Sequence, residues 1–138
     1  MRILVCEDSV LLREGLVRLL QHAGHEVVAA LPDASRVLAS VVAAEPDLAI
    51  LDVRLPPTFT DEGIRAALEL RRTHPELPLL VLSQYVEERY ASDLIASGST
   101  AFGYLLKDRV ADVREFLESL RTVAGGGSVL DPEVVSQL

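Results

Sequence analysis

Short apolar runs alternate five times with longer stretches in which apolar residues return every third or fourth position. The short runs are strand-sized and the longer ones have helix periodicity, so the chain reads as repeated βα units. Strands are predicted at about 2–7, 26–30, 48–51, 79–82 and 101–106. A first helix is predicted from Val10 to Ala23, begun by Asp8 or Ser9 as cap and stopped by Gly24. Leu12, Leu16, Leu19, Leu20 and Ala23 form its sheet-facing stripe. A second helix is capped by Asp33 or Ser35 and ends before Pro46. Further helices are expected over about 63–73, 86–96 and 110–124, the last with Val113, Phe116, Leu117, Leu120 and Ala124 buried. The unbroken apolar run Leu48–Leu51 suits a central parallel strand covered on both faces.

Composition narrows the class. At 138 residues, 49% hydrophobic and with mean hydropathy +0.28, the chain can bury a proper α/β core. A net charge of −8 and a pI near 4.8 leave no basic cluster to meet nucleic-acid phosphates. The one cysteine, Cys6, excludes an internal disulfide and fits a reducing cytoplasm; it reads as a buried, inert thiol. No apolar run approaches the roughly 20 residues of a membrane span.

Candidate chemistry sits at the strand ends. Strand 1 runs into Glu7-Asp8, strand 3 into Asp52, strand 4 into Ser83 and strand 5 into Lys107. In a parallel α/β sheet all carboxyl strand ends share one rim, so these residues converge there. Each alone has an ordinary explanation: Asp8 as helix cap, Ser83 as turn residue, Lys107 as solvated surface charge. The conjunction points elsewhere. Three carboxylates a few ångströms apart repel by roughly 4 kcal/mol per close pair and call for a counter-ion. Hard oxygen donors with room for water suit Mg²⁺, and no His or Cys set has zinc-like spacing. Asp52 would supply the attacking oxygen for a phosphoryl group, Lys107 would pair with its oxygens and Ser83 would donate a hydrogen bond.

Val5-Cys6-Glu7-Asp8, Leu51-Asp52-Val53-Arg54-Leu55-Pro56, Val81-Leu82-Ser83 and Tyr104-Leu105-Leu106-Lys107-Asp108 carry a resemblance. Over about residues 1–124 the chain resembles the receiver domain of a bacterial two-component response regulator. The resemblance implies a flavodoxin-like, doubly wound five-stranded parallel sheet of order 2-1-3-4-5. It implies Mg²⁺ held by Glu7, Asp8, Asp52 and the Arg54 carbonyl, phosphorylation of Asp52 by a sensor histidine kinase, and Ser83 with Tyr104 as switch pair. Such a receiver is a phosphoacceptor and not an enzyme acting on external substrates. A phosphatase would want an aspartate where Arg54 stands, and a flavodoxin-like cofactor binder would want a Gly- or hydroxyl-rich loop after strand 1. A receiver controlled by a ligand or protein partner without phosphorylation is the alternative.

Two departures from the family pattern stand out. Gly63 comes about three residues late after Pro56, and Asp108 replaces a common proline. Residues 125–138 read as a linker, with Asp131-Pro132 announcing a short helix; they resemble the segment that leads to a helix-turn-helix DNA-binding domain in the NarL/LuxR-type subfamily. That output domain is absent from this chain. Val10, Val17, Val110 and Val123 lie beyond the core stripes and suggest a homodimer through the first and fifth helices. Arg54 and Tyr85, two residues beyond Asp52 and Ser83, are expected to flank and screen the phosphoryl group.

Overall fold

A computed structural model describes residues 1–98 and 100–137. Strands β1 (Arg2–Cys6), β2 (Glu26–Leu31), β3 (Leu48–Asp52), β4 (Leu79–Ser83), β5 (Phe102–Leu106) and β6 (Ser128–Leu130) form one parallel sheet of order β2-β1-β3-β4-β5-β6. Helices α1 (Val10–His22), α2 (Val37–Ala44), α3 (Glu62–Thr73), α4 (Glu88–Ala96), α5 (Val113–Ala124) and α6 (Pro132–Val135) complete the chain. Two 3₁₀ turns, Ala34–Arg36 and Lys107–Ala111, precede α2 and α5.

Strand alternation sorts the core into two layers. Leu4, Cys6, Leu51, Val81 and Tyr104 point to the side covered by α2, α3 and α4. Ile3, Val5, Ile50, Leu80 and Leu82 point to the side covered by α1 and α5, against Leu16, Leu20, Phe116, Leu120 and Val123. Both faces of β3, β4 and β5 are buried, which is why these strands carry unbroken apolar runs. Each fully buried large side chain contributes about 1.5–3 kcal/mol. At Gly103 an added Cβ would fall 2.5 Å from a Leu80 methyl and 3.0 Å from a Val123 methyl, so a larger residue would have to push these side chains aside.

The sheet has six strands, correcting the five expected. Residues 128–130 pair in register with Phe102, Gly103 and Tyr104, and cover what would otherwise be an open edge. So much of the 125–138 segment as is described therefore packs on the domain; Leu138 lies outside the described residues. Its helix, α6, is four residues long and capped by Asp131 as read from Asp131-Pro132, with Val134 buried in the α2–α4 layer.

The α5 stripe also differs. Because Lys107–Ala111 forms a 3₁₀ turn, α5 starts at Val113 under the Asp112 cap, later than the expected Val110. The stripe shifts in phase: Val113 is 46% exposed, whereas Val123, read as spare surface, is fully buried. At α1 the cap is Ser9, which accepts from the Leu12 amide.

Candidate functional site

Sheet register brings the site together. Cys6 lies beside Leu51, Asp52 beside Leu82 and Ser83 beside Leu106, so Glu7, Asp52, Ser83 and Lys107 emerge along one rim. Carboxylate oxygens of Glu7, Asp8 and Asp52 lie within 4.8 Å of one another. The Lys107 ammonium reaches two of them, 2.8 Å from Glu7 Oε1 and 3.0 Å from Asp52 Oδ2. A cavity of about 260 Å³ opens over Asp52 and Lys107, with Asp8, Arg54 and Tyr85 in its wall.

Local structure holds these groups in place. The Arg13 guanidinium, on the first turns of α1, donates to the Glu7 carbonyl at 2.7 Å and the Asp8 carbonyl at 3.4 Å. Gly63, at the start of α3, donates its amide to the Val53 carbonyl at 2.8 Å. A Cβ there would fall 1.6 Å from the Asp52 carbonyl oxygen, so the late glycine is required by close approach to the site strand.

Charge is unbalanced at the rim. Asp52 is 4% exposed, and burial together with the neighbouring Glu7 carboxylate pushes it up to about 8. Burial also opposes ionisation of Glu7, but the Asp52 carboxyl and the Lys107 ammonium outweigh it and hold Glu7 below the ordinary range. Burial alone would lower Lys107; the two carboxylates raise it. Without a cation, the Glu7–Asp52 pair retains a proton that two free carboxylates would release. Three hard oxygen donors this close fit a small divalent cation, which would remove the reason for that proton.

Every residue expected at the rim is there. Ser83 is buried, its hydroxyl donating to the Tyr85 carbonyl at 2.6 Å. Tyr104 is already inside the core, fully buried, its hydroxyl without a hydrogen-bond partner among the described residues. Burial pushes its phenol up to about 12, against the nearby Ser83 hydroxyl, which favours ionisation. Cys6 is buried and is pushed up to about 12 by burial and then Asp33, so its thiol stays protonated. Arg54 lies 5.3 Å from the Tyr85 ring centroid, and its Nε donates to Glu87 at 2.8 Å.

Sequence reasoning missed Glu87, Phe59 and the Arg109–Asp131 pair. Glu87 neutralises Arg54 and also lies 3.5 Å from the Ser83 hydroxyl. Arg109 Nε meets Asp131 Oδ2 at 2.8 Å, and the same oxygen accepts from the Leu106 amide at 3.0 Å, one residue before Lys107. Asp131 carried a cap signal but no signal of this second role. The peptide bond after Lys107 is trans, the cis bond among the described residues being Pro56–Pro57.

The family model for the response regulator receiver domain matches residues 3–121. The chain belongs to the response regulator receiver domain family. The receiver is 32% identical to the transcriptional regulatory protein DegU of Brevibacillus brevis over 99% of this chain and 56% of that protein. A signal receiver domain from Mycobacterium tuberculosis is 31% identical, with a TM-score of 0.70 over 87% of this chain and 95% of that one. A two-component response regulator of the LuxR family from Aurantimonas sp. SI85-9A1 shares the fold, with a TM-score of 0.80, 22% identity and coverage of 98% and 92%. The relatives at 30% identity or more thus include DegU and the NarL receiver domain, both named as regulators. It spans 56–61% of the length of the curated relatives it matches. No helix among the described residues is long and apolar enough to cross a membrane.

Proposed function

We infer that this receiver works in the cytoplasm, is phosphorylated on Asp52 by a sensor histidine kinase with Mg²⁺, and passes the signal on by a change of surface. The observation that carries the reading is the Lys107 ammonium held between Glu7 and Asp52, with Asp8 completing a three-carboxylate cluster beside an open cavity. The phosphoryl group arrives with two or three anionic oxygens. Lys107 is already placed to pair with them, and Ser83 can turn its hydroxyl from the Tyr85 carbonyl towards them.

Glu7, Asp8, Asp52 and the Arg54 carbonyl would hold the cation. When bound, Mg²⁺ supplies the positive charge that keeps Asp52 ionised and offsets charge on the phosphoryl oxygens. An Asp52 oxygen then attacks phosphorus in line, a P–O bond forms and the P–N bond of the phosphohistidine breaks. Arg54 stands where a phosphatase would need a second acid, so turnover of external phosphoesters is not expected.

The switch follows from what is unsatisfied. A buried hydroxyl without a partner costs about 1–3 kcal/mol, so Tyr104 gains by meeting any group that Ser83 uncovers on moving. β5 then transmits the change to α4, to the 3₁₀ turn after Lys107 and to α5. In the full regulator this surface would govern homodimerisation through α1 and α5, where Val10, Leu11 and Val113 are exposed, and through it a C-terminal DNA-binding domain.

Incubation with Mg²⁺ and acetyl phosphate, read by intact mass, is expected to add one phosphoryl group to the wild type and none to Asp52→Asn. No gain in the wild type ends the reading. Sedimentation with beryllofluoride is expected to show a dimer at high concentration, and an unchanged monomer mass would remove the dimer from it.

A further inference from the structure

The loop between β3 and α3 is built to present one side chain. Phe59 has φ of 56°, a left-handed conformation that a bulky residue adopts only when its surroundings impose it. The imposing contacts are present. The Phe59 amide donates to the Leu55 carbonyl at 2.9 Å, closing a turn. Glu62 sits almost buried behind the turn and accepts from the Thr58 amide at 2.8 Å, from the Thr58 hydroxyl and from the Thr60 amide at 3.1 Å. The Thr58 hydroxyl holds the Glu62 carboxyl down to about 2, so the grip persists across the physiological range. Thr58 and Thr60 are thus fixed on either side of Phe59. Phe59 is 48% exposed, and it lines the cavity above Asp52 and Lys107.

We propose that Phe59 is a positioning residue that excludes water from the mouth of the Asp52 cavity and so sets the lifetime of the aspartyl phosphate. This rests on Asp52 being the phosphoacceptor. Hydrolysis requires a water to approach phosphorus from the side opposite the Asp52 oxygen. The water oxygen forms a new bond to phosphorus while the bond to Asp52 breaks. The electron pair of the broken bond returns to the carboxylate, inorganic phosphate leaves and a proton passes to solvent. Water reaches Asp52 through the cavity that Arg54, Tyr85 and Phe59 line. Apolar bulk at that position removes a place where water could be held by hydrogen bonds and lowers the frequency of attack. The segment from Pro57 to Glu62, lengthened ahead of the late Gly63, is the device that carries this ring to the site.

The test uses the same chain phosphorylated by acetyl phosphate and Mg²⁺, freed of the donor and followed by intact mass. Phe59→Ala is expected to lose its phosphoryl group about three- to tenfold faster than the wild type. Phe59→Leu, which keeps apolar bulk, is expected to stay within about twofold of the wild type, a rescue that a merely structural role would not show. Equal lifetimes for Phe59→Ala and the wild type overturn the proposal while leaving Asp52 as phosphoacceptor. Lifetimes for Phe59→Leu as short as for Phe59→Ala overturn screening by bulk. A wild type that gains no phosphoryl group removes both readings at once.

Discussion

Two buried aspartates stand at the carboxyl end of this sheet, and their surroundings could hardly differ more. Asp131 has no exposed surface, yet its oxygens accept from the Leu106 amide, the Glu133 amide and two nitrogens of Arg109, at 2.8–3.0 Å. Asp52 is nearly as buried and has one cation, Lys107, which it shares with Glu7. Burial opposes ionisation of both. At Asp131 the Arg109 guanidinium and the backbone donors outweigh burial and hold the carboxyl low. At Asp52 the Glu7 carboxylate adds to burial and the carboxyl is pushed up to about 8. A satisfied buried carboxylate fastens the fold, whereas one short of partners is poised to acquire them.

The sharpest test makes the same chemical change at both places. Asp131→Asn leaves Arg109 without its counter-charge and the Leu106 and Glu133 amides with fewer acceptors, and is expected to cost about 2–4 kcal/mol. Asp52→Asn puts a neutral amide where burial and Glu7 oppose an ionised carboxyl, and is expected to stabilise the cation-free fold by about 1 kcal/mol. Urea midpoints in EDTA at pH 7 measure both. Destabilisation of similar size at the two positions would show that the contrast in partners has no energetic consequence.

A pH series separates the two aspartates by sign. Asp52 is raised from 3.8 to about 8, so between those values the folded state binds more protons than the unfolded chain. Its contribution to stability therefore falls as pH rises through that window. Asp131 is lowered from 3.8, so its contribution is complete above that value and is lost only as pH falls through the depressed folded pKa. Between pH 5 and 8 the wild type in EDTA should therefore lose stability relative to Asp52→Asn, at up to about 1.4 kcal/mol per pH unit. Saturating Mg²⁺ should flatten the difference. Parallel profiles in EDTA would mean that Glu7 and Asp52 do not share a proton.

The same contrast explains what could be seen in the sequence. Asp52, Ser83 and Lys107 end apolar runs whose strand character is local, and a parallel sheet places all such ends on one rim. Their meeting follows from topology alone. The clasp does not announce itself that way. Ser128-Val129-Leu130 is too short and too near Gly125-Gly126-Gly127 to read as a strand, and becomes one because the β5 edge accepts it. Arg109 and Asp131 lie 22 residues apart, outside any helical or turn spacing. Phe59 was hidden for a third reason: its place depends on how Glu62 folds the loop back, which residue order shows only as an insertion before Gly63. Local periodicity was legible, and pairings that tertiary contact creates were not.

Tyr104 gives the smallest effect and places a neutral group under the same rule. Its ring fills the α2–α4 layer and its hydroxyl is buried with no partner among the described residues. Removing the oxygen keeps the packing and deletes a desolvated polar group, so Tyr104→Phe should stabilise the unphosphorylated chain by about 0.5–1 kcal/mol in urea. That gain should shrink in beryllofluoride and Mg²⁺, where Ser83 is expected to swing away from the Tyr85 carbonyl and the phenol to find a partner. A loss of stability on Tyr104→Phe without the mimic would mean that the hydroxyl is already satisfied. The tyrosine would then belong with Asp131 among the fastenings of the fold, and the free energy of switching would have to come from Ser83 and Lys107.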